Sequence, residues 1–248
     1  MPRVLIGCLI LTGVAVAGSV CAQDGVTPKG VVELFTSQGC SSCPPADAVL
    51  EKLIDQGDVV ALSYHVDYWN YLGWADTMSS KESTARQYAY AKSLGRSNVY
   101  TPQAVINGRD HMNGADLGAI NGKLDAFKKA GEGLNVDVGA SMQGDELAIT
   151  IGAGQGKANV VIAYFDQEQT VTIKKGENVD RKVAYWHTVT DVQTVGMWDG
   201  KAMRLVLPSS LVKSAKKDGC AVLLQTSGPE GEPGTIMGAA VLLVGAER

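Results

Sequence analysis

Two cysteines stand three positions apart, where an apolar segment meets an amphipathic one. Cys40 and Cys43 lie between GVVELFTS, a short apolar run typical of a strand, and PPADAVLEKLIDQG, whose apolar residues have helical spacing. The pair is therefore predicted at a helix N-terminus, where unpaired N–H groups and the helix dipole lower the pKa of a thiol. Cys40 is then expected to attack a disulfide, and Cys43 to resolve the mixed disulfide.

Three other interpretations of this pair stay open at the level of sequence. A zinc site would need a second pair of Cys or His ligands, and the histidines at 65, 111 and 187 are widely scattered. A purely structural disulfide would close so small a loop that it restrains the unfolded chain little. A Cu(I) carrier would use the thiolates as soft ligands, with His65 or a Met as the third.

The segment YHVDYWNYLGW, residues 64–74, is the other dense patch of chemistry-bearing side chains. Aromatic rings with a few polar groups suit a peptide- or ligand-binding cleft, so His65, Asp67 and Trp69 are predicted to bind substrate. His65 and Asp67 alternate at a strand end, which allows both to face the same side. The alternative is that the aromatic rings pack in the core and that His65 is a hydrogen-bonded structural histidine.

The elements around these residues change in character along the chain. Residues 24–131 alternate strand-like and helix-like segments in the order β-α-β-α-β-β-α, which predicts an α/β layer domain. Residues 132–248 show short alternating runs at regular spacing, which predict an antiparallel, all-β sandwich-like domain. The boundary near Gly131 is short, so the two domains are expected to pack together.

Composition and the N-terminal segment limit the function and the compartment. The 248 residues are 45% apolar, and their net charge of −4 argues against a nucleic-acid surface. Residues 1–22 have a basic start, a short apolar stretch and small residues before the end, which predicts a cleaved signal peptide and export to the periplasm or beyond. No membrane span is expected in the mature protein. Of its three cysteines, Cys40 and Cys43 are the natural pair, and Cys220 is predicted as a buried free thiol in a strand.

Four segments together resemble a known family. VVELFTSQGCSSCPPAD, HVDYWNYLGW, TARQYAYAKSLG and VYTPQAVINGR are similar to a family of secreted bacterial proteins of unknown function with a thioredoxin-like domain. The resemblance implies a thioredoxin-like α/β fold with a helical insertion over about residues 68–95. It also implies that Glu33 is an accessory acid and that Thr101 and a cis Pro102 shape the substrate groove. The dipeptide Ser41-Ser42 differs from those of well-known relatives, which leaves the direction of electron flow open.

These features predict an exported thiol–disulfide oxidoreductase. It needs no cofactor, because the disulfide itself carries the two electrons. Its substrate would be a cysteine-containing protein or a small thiol, and a redox partner would recycle the pair. The alternative is a binding module in which the disulfide stays closed, and the accessibility of Cys40 separates the two hypotheses.

Overall fold

The structure is a computed structural model that describes residues 27–208 and 218–244. The predicted signal peptide, residues 1–22, lies outside the described residues. In chain order the elements are β1 (Gly30–Thr36), α1 (Pro44–Gln56), β2 (Val59–His65), a 3-10 turn (Asn70–Leu72), α2 (Lys81–Ser93), β3 (Gln103–Ile106), β4 (Asp110–Asn113), α3 (Leu117–Lys129), β5 (Val138–Gln143), β6 (Glu146–Ile151), β7 (Ala158–Thr172), β8 (Lys182–Trp198), β9 (Met203–Pro208), β10 (Gly219–Ser227) and β11 (Pro233–Leu243).

Strands from both halves of the chain form one eight-stranded mixed sheet in the order β11-β10-β7-β8-β2-β1-β3-β4. Strands β1 and β2 are parallel and pair along their whole length, from Gly30 opposite Val59 to Thr36 opposite His65. The other edge of β2 meets β8, where Ser63 lies opposite Thr188. A second sheet of three strands, β5-β6-β9, packs on the part of the large sheet that β7 and β10 form.

The predicted fold class, a thioredoxin-like α/β domain followed by a separate all-β domain, is wrong. The described chain is mostly β, with three α-helices, and its main sheet continues across the predicted boundary near Gly131. The order of elements up to residue 129 is as predicted, but those elements do not make a sheet of their own. Short apolar runs such as β2 are buried on both faces, and their sequence gives no information on which distant strand pairs with the free edge.

Helix α1 follows from local sequence signals. Pro44 and Pro45 occupy its first turn, where a missing N–H costs little, and Gly57 ends it with a φ of 72°. The predicted apolar stripe is buried at Ala46, Val49, Leu50 and Leu53. This stripe packs on the face of β1 that carries Val32 and Leu34, in a cluster that α3 completes.

The opposite face of β1 packs on a different cluster. Val31 and Phe35 lie there with Tyr64 of β2 and Tyr90 of α2, together with side chains from β7, β10 and β11. Each large apolar side chain buried in this way stabilises the fold by about 1.5–3 kcal/mol. Strand β1 therefore separates two environments, one beneath α1 and one beneath α2. No helix within residues 27–208 and 218–244 is long and apolar enough to cross a membrane.

Candidate functional site at the start of helix α1

Cys40 and Cys43 form a disulfide at the N-terminus of α1, and Cys220 is a buried free thiol in β10, both as predicted. The carbonyl of Cys43 accepts the N–H groups of Ala46, at 2.8 Å, and Asp47, at 3.1 Å, which starts the helix. Both cysteines are buried, with 2% of Cys40 and none of Cys43 exposed. The exposed part of the loop is Ser41-Ser42.

The hydroxyl of Ser42 lies 3.4 Å from Cys40 Sγ and is the donor of this contact, since a disulfide sulfur carries no hydrogen. Pro44 and Pro45 carry no N–H group, so α1 offers few direct donors to a sulfur at its start. Stabilisation of a Cys40 thiolate therefore depends on the helix dipole and on the hydroxyl of Ser42.

The loop before Cys40 is held by residues from distant parts of the chain. The N–H of Gln38 donates to Asp76 Oδ2 at 2.8 Å, and the indole N–H of Trp74 donates to Gln38 Oε1 at 2.8 Å. Asn178, in the connection between β7 and β8, donates its Nδ2 to the carbonyls of Gln38, at 3.0 Å, and Cys40, at 2.9 Å. These bonds fix the backbone on both sides of Gly39.

Trp69 links the cysteine loop to the predicted substrate groove. Its indole N–H donates to Thr101 Oγ1 at 2.8 Å, and a Cβ added at Gly39 would lie 3.1 Å from the Cβ of Trp69. The Thr101–Pro102 peptide bond is cis. A Cβ at Gly114 would lie 3.3 Å from Ala46 of α1 and 3.6 Å from Pro102, so Pro102 lies close to the first turn of α1. The structure thus brings Cys40, Trp69, Thr101 and Pro102 together.

Gln87 of α2 holds the segment around Pro102 in place. Its amide nitrogen Nε2 donates to the carbonyl of Tyr100 and to Gln103 Oε1, both at 2.8 Å, and its Oε1 accepts from the hydroxyl of Tyr68. Gln87 is fully buried, so these bonds tie the segment before Pro102 to α2.

The side chains of His65 and Asp67 have different partners and do not form one site. His65 is buried, lies 2.7 Å from Asp76 through its Nδ1, and meets the ring of Tyr185 edge-on at 4.7 Å. Asp67 instead accepts a hydrogen bond from Thr84 of α2 at 2.7 Å. Asp67 therefore fastens the aromatic segment to α2, whereas His65 lies in the interior beneath the cysteine loop.

The carboxylate of Asp76 is a buried anion at the centre of this network. Burial alone would raise its pKa, but His65 and the N–H groups of Gln38 and Met78 outweigh burial and lower the pKa of Asp76. An ionised Asp76 thus holds both the ring of His65 and the loop before Cys40.

Glu33, the predicted accessory acid, lies on the other side of β1. Its carboxylate pairs with Arg86 at 2.8 Å and accepts the hydroxyl of Tyr90. The guanidinium of Arg86 also stacks over the rings of Tyr64 and Tyr90, at 5.3 and 5.1 Å. Because Val31 and Phe35 share this face, Glu33 belongs to the cluster under α2, whereas α1 packs on the opposite face. The structure does not bring Glu33 to the disulfide.

A different buried acid lies beneath the start of α1. Asp47 comes four residues after Cys43, is 4% exposed, and accepts the hydroxyl of Thr36 at 2.7 Å. Burial raises its pKa to about 7, although His65 and Thr36 oppose the rise. Within the described residues, no group of three or more His, Cys, Asp or Glu is placed to hold a metal ion.

A family model, described as protein of unknown function (DUF1223), matches residues 31–225. The chain belongs to this family. The matched range includes the cysteine loop, the aromatic segment and Asn178, so one family unit crosses the predicted domain boundary. The predicted membership of a family of unknown function is therefore confirmed.

Two solved structures are similar to this chain. One is a crystal structure of protein AGR_C_4864 from Agrobacterium tumefaciens, with 61% sequence identity and a TM-score of 0.83 over 90% of this chain and 96% of that chain. The other, HBP35 of Porphyromonas gingivalis, has 15% identity and a TM-score of 0.59 over 89% of this chain and 76% of that chain, which indicates a shared fold alone. No match was found among curated proteins.

Sequence reasoning missed three residues of the site. Asp47 carried a readable signal, because it is an acid four positions after Cys43 on the apolar face of a predicted helix. Asp76 and Asn178 carried none, because their contacts with Gln38 join positions 38 and 140 apart in the chain. GENVDRK, the segment that holds Asn178, looks like an ordinary polar turn until the fold brings it to Cys40.

Proposed function

We propose that this protein is an exported thiol–disulfide oxidoreductase whose redox centre is Cys40–Cys43. The observation that carries the proposal is the disulfide at the start of α1, with the exposed Ser41-Ser42 above it and a buried acid, Asp47, one helical turn inside. Groups with perturbed pKa values cluster at functional sites, and burial raises the pKa of Asp47 to about 7.

The exchange proceeds in two substitutions at sulfur. A substrate thiolate attacks Cys40 Sγ, the Cys40–Cys43 bond breaks, and its electron pair leaves on Cys43 Sγ. A second substrate thiolate then attacks the mixed disulfide and releases Cys40. The substrate leaves with a disulfide, and the protein holds two thiols, so two electrons and two protons have moved to the pair. The reverse sequence reduces a substrate disulfide.

Attack at Cys40 rather than Cys43 follows from the surroundings of the two sulfurs. Cys40 is 2% exposed and follows Gly39, which lies against Trp69, whereas no part of Cys43 is exposed. In this proposal Thr101 and Pro102 form the far wall of the substrate groove, and Trp69 is hydrogen-bonded to Thr101. The groove suits an extended segment that carries a cysteine, from a protein or a small thiol.

The predicted export fits this chemistry, because disulfides persist in the periplasm and outside the cell. A second protein with a redox-active disulfide or dithiol would recycle the pair.

The test is the reduction potential of the pair in the oxidised protein, measured in glutathione buffers with thiol trapping. We expect a value of roughly −270 to −120 mV, in the range of exchangeable centres. The Cys43→Ser variant is expected to accumulate a mixed disulfide through Cys40, and the matched Cys40→Ser variant is expected to accumulate none. A potential below about −300 mV, or a pair that resists reduction, would contradict the proposal.

A second candidate function is favoured by one observation, the burial of both cysteines. In a binding module the pair would stay closed, and the groove at Trp69 and Thr101 would hold a ligand without exchange. The same measurement decides between them, because a closed structural pair would show the low potential and no mixed disulfide.

A further inference from the structure

Asp47 lies one turn after Cys43 on the buried face of α1. Its Oδ1 accepts from Thr36, whereas its Oδ2 is buried and has no hydrogen-bond partner among the residues that the structure describes. Residues four apart in a helix are neighbours, and helical side chains lean toward the N-terminus. The carboxyl group of Asp47 therefore extends toward the turn that holds Cys43.

His65 faces the same place from β2. It lies opposite Thr36 in the parallel pair β1–β2, so the two side chains share one face of the sheet, on neighbouring strands about 4.8 Å apart. The Nδ1 of His65 is bonded to Asp76, and its Nε2 is buried without a partner in the described ranges. A carboxyl oxygen and an imidazole nitrogen, both unpartnered, thus lie on the same side of β1 and β2.

Burial and the groups around Asp47 determine the pKa of its carboxyl group. Burial raises the pKa of Asp47 to about 7, His65 and Thr36 act against that rise, and Asp76 adds to it. The ionisable groups that face Asp47 are His65 from β2, Asp76 from the loop before α2, and Tyr185 from β8. The carboxyl group of Asp47 therefore keeps its proton to a much higher pH than an exposed aspartic acid does.

Cys43 needs such a proton when the disulfide opens. The leaving sulfur carries a negative charge, and no part of Cys43 is exposed to water. A thiolate in an apolar enclosure is disfavoured by desolvation, so protonation within the site lowers the barrier to bond cleavage.

Building on the exchange function above, we propose that Asp47 donates the proton that Cys43 takes up, and that His65, held by Asp76, passes a proton back to Asp47. The S–S bond breaks, its electron pair stays on Cys43 Sγ, and the proton moves there from Asp47 Oδ2. The Asp47 carboxylate is reprotonated through His65 Nε2, with the proton drawn finally from solvent. In the reverse direction Asp47 takes the proton from the Cys43 thiol.

The experiment measures the rate constant for reduction of the oxidised protein by dithiothreitol from pH 5.5 to 8.5, divided by the fraction of dithiothreitol present as thiolate. In the wild type we expect this corrected rate constant to fall about tenfold or more as the pH rises through 7, because the donor loses its proton. The Asp47→Asn variant is expected to have the low rate constant throughout and to match the wild type above pH 8. A general folding defect would not produce this agreement at high pH alone.

Two further variants keep the test decisive. Asp55→Asn removes an exposed carboxyl group from the same helix and is expected to keep the wild-type profile. In His65→Gln we expect the corrected rate constant to fall at a higher pH than in the wild type, because His65 lowers the pKa of Asp47. The inference is overturned if the corrected rate constant of Asp47→Asn still falls as the pH rises through 7. Should that variant not fold, the inference is overturned if His65→Gln leaves the pH of this fall unchanged. In both cases a readily reduced wild type would leave the exchange function standing, whereas a wild type that dithiothreitol does not reduce at any pH would overturn both.

Discussion

Two buried acids on opposite sides of β1 differ in what surrounds them. Glu33 has the guanidinium of Arg86 at 2.8 Å, so its charge is neutralised within the cluster under α2. Asp47 has a hydroxyl on one oxygen and no bonded partner on the other among the described residues. A buried acid paired with a cation is part of the framework, whereas burial raises the pKa of Asp47 to about 7. This contrast is why we assign the proton to Asp47.

Asp47 also makes stability depend on pH. Its folded-state pKa is raised from 3.8 to about 7, so its contribution to stability is fully present below pH 3.8 and is lost as the pH rises through 7. Between these values the loss is at most about 1.4 kcal/mol for each pH unit. We expect the free energy of unfolding of Asp47→Asn, relative to the wild type, to increase from pH 4.5 to 7.5, as measured by urea unfolding of the oxidised proteins.

Comparing the wild type with Asp47→Asn at each pH isolates the effect of Asp47 from that of the other titrating residues. One of these is Asp76, whose lowered pKa changes the free energy of unfolding with pH in the opposite direction. Asp55→Asn serves as the control and should track the wild type. A difference between wild type and Asp47→Asn that stays constant from pH 4.5 to 7.5 would show that Asp47 is ionised throughout.

At the scale of elements, the tip of the long hairpin formed by β7 and β8 reaches the cysteine loop. Asn178 in that tip is 1% exposed and bonds the carbonyls of Gln38 and Cys40. Gly176, with a φ of 80°, lies against the segment that ends in Trp74, where an added Cβ would be 3.3 Å from that side chain. The tip therefore closes over the cysteine loop and helps to bury Cys40.

Asn178→Ala tests that role. The variant loses two hydrogen bonds and leaves two buried carbonyls without this donor, so we expect a loss of about 2 kcal/mol in the free energy of unfolding. We also expect faster reduction of the disulfide by dithiothreitol, because the loop opens more often. Asn98→Ala changes an exposed asparagine and is the matched control. Lower stability with an unchanged reduction rate would mean that the tip packs on the loop without limiting access.

The elements also show how much of the fold could be predicted from the sequence. Helix α1, its prolines, the terminal Gly57 and the paired cysteines were predictable, because each depends on residues within one or two turns. Thr101 and Pro102 were predicted through a family resemblance, and Trp69 through the density of aromatic side chains in residues 64–74. The bond from Asn178 to Cys40 spans 138 positions, and the junction of β2 with β8 joins Ser63 to Thr188. Alternation and apolar runs specify that a strand exists, but they do not specify its partner.

At the scale of the whole molecule, the two halves share a sheet and a core. Leu62 and Tyr64 of β2 pack in one cluster with Phe165 of β7 and Leu223 of β10. Arg86 of α2 bonds both Glu33 and Gln225 of β10, at 2.8 and 3.0 Å. Unfolding of either half would expose apolar surface and unpaired polar groups of the other, which favours one cooperative transition.

The four tryptophans allow this cooperativity to be measured from each half separately. Trp69 and Trp74 lie in the first half of the chain, and Trp186 and Trp198 in the second. In the double variant Trp69→Phe, Trp74→Phe, fluorescence reports on the second half of the chain. In the double variant Trp186→Phe, Trp198→Phe, it reports on the first half. Within each variant we expect the urea midpoint from fluorescence to coincide with the midpoint from far-ultraviolet circular dichroism. Separate midpoints in either variant would show that the halves unfold independently, and the narrow contact between β2 and β8 would then be where the sheet divides.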